Sequence, residues 1–135
     1  MVTEFDYPAW IILVFGIYSL SAGIGEFRKA GFWASMIDDL EKIPALRFLT
    51  GVICIGIGTP LYLIAPWSGD WMLVAVKVIG GWMVVEGALF LAIGDMFMNF
   101  ARKLMGGASR LWASIAILAG LAAIAAAGIR ISAGL

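Results

Sequence analysis

Glu86 is the residue in this chain best placed to do chemistry. It stands in "GGWMVVEGALFLAIGD" (80–95), with apolar residues on both sides for several turns. A charged acid near a bilayer midplane costs about 2.5–3.5 kcal/mol on insertion scales, so such a residue should face other helices and marks a functional site by default. It need not carry charge, because the neutral acid donates a hydrogen bond. Ser19 and Ser21 fall at a matching depth on the first apolar run, and Thr50, Cys54 and Ser114 bracket that level less closely. Glu86 with Ser19 and Ser21 is therefore the candidate intramembrane polar site. It would either glue two helices together or bind and release a proton or cation.

Lys77 is the obvious counter-ion, and helical geometry argues against it. Nine residues are two and a half turns, which places the two side chains on opposite faces and ~13 Å apart along the axis. Its long stem is expected to snorkel toward the nearer membrane surface. No other chemistry assembles. The chain has no histidine and a single cysteine, Cys54, which removes the usual metal and haem ligand, the usual general base and any internal disulfide. No nucleophile motif, phosphate loop or metal cluster is present. We expect no catalytic residues, no cofactor and no metal. The carboxylates of Asp38, Asp39 and Glu41 read as a solvated helix face.

The elements that must position Glu86 follow from composition. Of the 135 residues, 63% are hydrophobic and 13% charged, against about 45–50% and 25% in soluble domains, and the mean hydropathy is +1.02. The excess collects in four runs, about 8–25, 46–65, 71–94 and 111–129. Each is long enough for a bilayer core of ~30 Å, and none alternates as a barrel strand would. The expected fold is an all-α membrane protein, a four-transmembrane-helix bundle forming one domain over 1–135. The opening "MVTEFDYP" is acidic, unlike the basic start of a signal peptide, so the first run is read as a retained span.

Seven of the nine basic residues lie between spans one and two or between spans three and four: Arg28, Lys29, Lys42, Arg47, Arg102, Lys103 and Arg110. The positive-inside rule puts both connectors in the cytoplasm and both termini outside. Trp10, Trp67 and Trp71 then form an outer aromatic belt. Formal net charge is +0, so no basic face for nucleic acid is expected. In the first connector Trp33, Met36, Ile37 and Leu40 recur at helical spacing among Asp38, Asp39, Glu41 and Lys42. That pattern predicts a short amphipathic helix at the interface, with Ser35 as a candidate cap and Pro44 as its stop. The second connector, "DMFMNFARKLMGGAS", reads similarly until Gly106 and Gly107.

The halves 8–65 and 71–129 have parallel features. Each has a glycine and an acid at the cytoplasmic end of its first span ("IGEF" at 24–27, "IGDMF" at 93–97). An arginine opens each second span ("ALRFLTG", "SRLWASI"). This reads as a parallel two-helix repeat, distinct from the inverted repeats of many transporters. Gly23, Ala88, Ala92, Gly120, Ala123 and Ala127 lie on small-residue faces that let helices approach closely, and they form the candidate interface. Pro60 should kink the second span.

On "VVEGALFLAIGDMF" (84–97), the arginine of "SRLWASIAILAGL" and "LRFLTGVICIGIGTPLYLI" (46–64), each half resembles the two-span module of bacterial inner-membrane proteins of the YjeT type. The first half departs from it in lacking a glutamate to match Glu86. The resemblance implies a small protein of the bacterial inner (plasma) membrane without assigned chemistry. The expected function is a non-catalytic accessory or scaffold protein, bound to other membrane subunits or to itself within the lipid bilayer. The alternative is a small proton- or cation-coupled transporter or channel using Glu86. A third reading is a lipid-binding or membrane-shaping protein acting through the first connector.

Overall fold

Prolines and turn glycines divide the apolar sequence into helices. In the computed structural model, which describes residues 5–134, α1 spans Tyr7–Arg28, α2 Phe32–Lys42, α3 Pro44–Ile64, α4 Trp71–Met105 and α5 Ser109–Gly134. Pro8 and Pro44 sit in the first turns of α1 and α3, where a missing N–H leaves no bond unmade. The Asp70 carboxylate caps α4 by accepting from the Met72 amide at 3.0 Å. Gly31 (φ +107°) precedes α2 and Gly106 (φ +43°) ends α4, two backbone positions that L side chains rarely adopt. Among the described residues there is no strand. Helices α1, α3, α4 and α5 are each long and apolar enough to cross a membrane. The fold is an all-α four-span bundle, with the short amphipathic α2 between the first two spans.

The second connector is helical as expected: α4 kinks at Ile93, whose backbone is non-helical (φ −136°, ψ 44°), and the stretch beyond the kink runs on to Met105, where Gly106 ends it. Next to the bend, Gly94 lies directly beneath the Arg47 side chain, where a Cβ would meet the guanidinium Nε at 2.5 Å. The cap of α2 differs from expectation. This helix starts ahead of Ser35, and its cap is supplied from α1 by Glu26.

The spans pack as two tight pairs, α1 on α5 and α3 on α4, while α1 and α3 scarcely touch. Glycines set the spacing of both pairs. A Cβ on Gly16 or Gly120 would reach the other's carbonyl oxygen at 3.1 or 2.8 Å, and one on Gly23 would reach the Ala113 oxygen at 2.8 Å. In the other pair Gly51 faces Gly87 and Gly58 faces Gly80, at 2.6–2.9 Å by the same measure. Close approach of this kind is how membrane helices associate without a hydrophobic driving force. Gly23, Gly120, Ala123 and Ala127 all lie in the α1–α5 seam or its margin, whereas Ala88 and Ala92 are exposed.

At the end opposite α2, the starts of α1 and α4 meet the C-terminal part of α5. Arg130 there binds two carboxylates. Its Nε and Nη2 donate to Asp6 at 2.8 and 3.0 Å, and its Nη1 donates to Asp70 at 2.6 Å. Ala9, Ile12, Ala65, Met72, Val76 and Ala127 form the apolar cluster at that end. Trp10, Trp67 and Trp71 are exposed around it. Glu4 lies outside the described residues.

This clasp has a calculable pH dependence. The Arg130 hydrogen bonds, helped by the Met72 amide and opposed by burial, hold the Asp70 carboxyl below its ordinary value. A carboxylate depressed on folding adds stability above its unfolded pKa of ~3.9, and that stability disappears as pH falls through the lower folded value. Thermal melts in detergent should therefore be flat from pH 7 to 5 and fall below pH ~4. Asp70→Asn should remove about 2 kcal/mol at pH 7 and flatten the acid limb. A variant with an unaltered acid limb would show that the clasp contributes nothing.

Candidate functional site

Because α1 and α3 stand apart, the bundle is hollow between its two helix pairs, and Glu86 lies in the hollow. One cavity of about 680 Å³ is roofed by Trp33, Met36, Ile37, Asp39 and Leu40 of α2. Its walls bring together Tyr18, Ser19 and Ala22 of α1, Leu46 and Thr50 of α3, Glu86 of α4 and Ala116 of α5. A second cavity, of about 970 Å³, occupies the gap between α1 and α3 toward the Arg130 end. Phe5, Tyr7, Trp10, Phe15 and Tyr18 line it from one side, and Ile53, Cys54, Ile57, Leu61 and Met83 from the other. Two side chains, Tyr18 and Glu86, belong to both linings.

Glu86 is half-buried, and among the described residues no group is placed to hydrogen-bond its carboxylate. None of the predicted partners bonds to it, and of these Cys54 shares the second cavity with it. Ser19 shares the first cavity with Glu86, but its hydroxyl donates to the Ala116 carbonyl at 2.8 Å and so ties α1 to α5. Ser21 is exposed on the outside of α1. Thr50 and Ser114 return their hydroxyls to their own helices, at Leu46 and Arg110. The acid therefore faces open space with its oxygens free. Such a group can take up a proton or a cationic ligand without first breaking a protein contact.

Lys77 stays away from Glu86, as the helix geometry requires, but it does not reach the surface. It is buried at 8% exposure. Its Nζ donates to the Tyr62 carbonyl at 2.9 Å and lies 3.7 Å from the Tyr62 ring centre. The reason is local: in a helix the Tyr62 carbonyl would accept from residue 66, which is a proline without an N–H. A lysine at a helix C-terminus fills that gap and suits the helix dipole. Tyr7 does the same for the Ile64 carbonyl, at 3.0 Å.

The roof over the first cavity is fastened at both ends. Glu26, fully buried, accepts from the Gly31 amide at 3.0 Å and the Trp33 amide at 2.8 Å, holding the N-terminus of α2. Arg47 donates to the Leu40 and Glu41 carbonyls at 3.2 and 3.1 Å, holding the C-terminus. Arg102 of α4 adds ion pairs to Asp38 and Glu41 on the outer face. All three of those side chains are 41–50% exposed, so solvent screens those pairs and they contribute little.

Sequence reasoning missed Glu26 and the part played by Arg47. An acid five residues ahead of a glycine matches no common capping pattern, and the signal is visible only once Gly31 turns the chain back. Comparison with known proteins adds no relative: no family model, curated protein or solved structure matches this chain.

Proposed function

We propose that this multi-pass membrane protein moves a proton or cation across a bilayer by way of Glu86. One observation carries the reading: Glu86, with Tyr18, lines two cavities that share no other residue and extend from it toward opposite ends of the bundle. A single acid at the junction of two such spaces can exchange with each in turn. The other titratable groups lining the two cavities are Asp39 on α2, Tyr7 and Tyr18 on α1 and Cys54 on α3, and neither cavity is lined by a lysine or arginine. A proton on Glu86 is therefore not displaced by a fixed cation.

The accessory or scaffold reading has less support. Four of the six small residues that would serve an external interface are engaged within the α1–α5 pair, leaving Ala88 and Ala92. Membrane shaping through α2 is also disfavoured, since the helix is tied at both ends. The charge distribution supports a cytoplasmic α2 end and outward termini, and the resemblance noted above supports a bacterial inner membrane.

The experiment is proton flux into vesicles that hold the purified protein and an internal pH-sensitive dye, driven by a potassium diffusion potential. Wild type should conduct protons, and Glu86→Gln should lower the rate about a hundredfold, the scale of a positioned acid in proton transfer. Equal rates for the two proteins would overturn the proposal.

A further inference from the structure

The larger cavity also indicates what would occupy it. We infer that the gap between α1 and α3 binds a lipophilic organic cation, a drug-sized ion with a delocalised or shielded positive charge, taken from the bilayer. This rests on the reading of Glu86 as the exchanging acid and names the substrate class for it. Its volume of about 970 Å³ falls in the size range of small-molecule sites, roughly 300–1,000 Å³. Its walls are apolar apart from a few polar atoms. The Tyr7 hydroxyl is already bonded to the Ile64 carbonyl, and Glu86 is the one carboxylate in the lining.

Charge complementarity selects among occupants. An anionic lipid would bring its headgroup toward a carboxylate with no cation in the lining. A hydrated metal ion would find a wall almost without oxygen ligands. A neutral amphiphile would fill the space and leave the acid unused. An apolar cation satisfies both features, pairing its charge with Glu86 and laying its body against Trp10, Phe15 and Tyr18, whose ring faces attract cations. The gap exists because the glycine seams draw α1 onto α5 and α3 onto α4, leaving α1 and α3 unpaired.

Tetraphenylphosphonium and tetraphenylborate have nearly the same shape and opposite charge, which makes them suitable probes. Equilibrium dialysis against the purified full chain in mild detergent should show saturable binding of the phosphonium and at least about tenfold weaker binding of the borate. Glu86→Gln, which removes the opposite charge, should lose phosphonium binding about tenfold or more. Val14→Trp, which fills the cavity and leaves the acid in place, should lose it as well. Thermal melts of each variant establish that it is folded. Equal binding of the two ions, or phosphonium binding indifferent to both substitutions, would overturn the inference and leave a greasy cleft. Glutamate-dependent binding without proton flux would instead count against the transport reading alone. Glutamate-dependent flux with no phosphonium binding would overturn only the assignment of the ligand.

Discussion

Gly80→Ala should destabilise the folded protein by about 2 kcal/mol, whereas Gly56→Ala, on a neighbouring helix, should be neutral or slightly stabilising. The two substitutions add the same methyl group to the same type of element. In water, alanine in place of glycine favours a helix by about 0.5–1 kcal/mol, so propensity alone predicts a gain at both positions. The surroundings reverse the sign at one of them. A Cβ on Gly80 would stand 2.6 Å from the Tyr62 nitrogen and 2.7 Å from the Gly58 oxygen, both backbone atoms that cannot swing aside. The helices must separate, and overpacking of this kind costs about 1–3 kcal/mol. A Cβ on Gly56 meets nothing within 4 Å. Separation of α3 from α4 would also shift Tyr62, whose carbonyl and ring hold Lys77. Unfolding in mixed detergent micelles, followed by helical circular dichroism, measures both variants. A Gly80→Ala protein as stable as wild type would mean that the α3–α4 seam is looser than its geometry requires.

That seam recurs in the other pair, and the recurrence explains what was legible beforehand. Gly16 and Gly23 on α1, Gly80 and Gly87 on α4, Gly51 and Gly58 on α3, and Ala113 and Gly120 on α5 are each two turns apart and face one another across the two pairs. The four spans themselves could be read from apolar run length, because a bilayer imposes that length on any helix that crosses it. The partner of each span could not. A stripe of small residues indicates that a helix is approached closely, and it does not say by which neighbour. Gly23, Gly120 and Ala127 were therefore equally compatible with an external interface before α5 was seen to lie on α1. Glu86 was legible as an isolated acid in an apolar run. The two cavities meeting at it were not, because an empty volume between α1 and α3 depends on which helices fail to touch. Lys77 shows the same division. Its separation from Glu86 followed from helical geometry alone, but its binding to Tyr62 depended on Pro66 denying that carbonyl an amide.

Glu26→Ala should free α2 and uncover the cavity that contains Glu86, with a loss of about 2–4 kcal/mol. The carboxylate is fully buried and accepts two backbone amides, Gly31 at 3.0 Å and Trp33 at 2.8 Å. Hydrogen bonds to a charged group contribute about 1.5–3 kcal/mol each, and removing the acceptor leaves amides unpaired. It also removes a negative charge from the positive end of the α2 dipole. The exposed Arg102 pairs are too weak to compensate, so what remains is Arg47 at the far end of the helix. Glu26→Gln keeps the shape but turns an N–H toward one of the two donors, and should lie between wild type and Glu26→Ala. Hydrogen exchange resolves the effect by segment. Amides of 32–42 should exchange at least tenfold faster in Glu26→Ala, while those along the α3–α4 seam stay protected. Since α2 carries Trp33, Met36, Ile37, Asp39 and Leu40 into the roof over Glu86, its release should also open the first cavity from that side. Proton flux in Glu26→Ala should then rise while remaining dependent on Glu86, so that the double variant with Glu86→Gln is silent. Unchanged exchange across α2 would mean that Arg47 alone secures the roof. A silent single variant that retained its helical content would mean that the closed roof is required for transport.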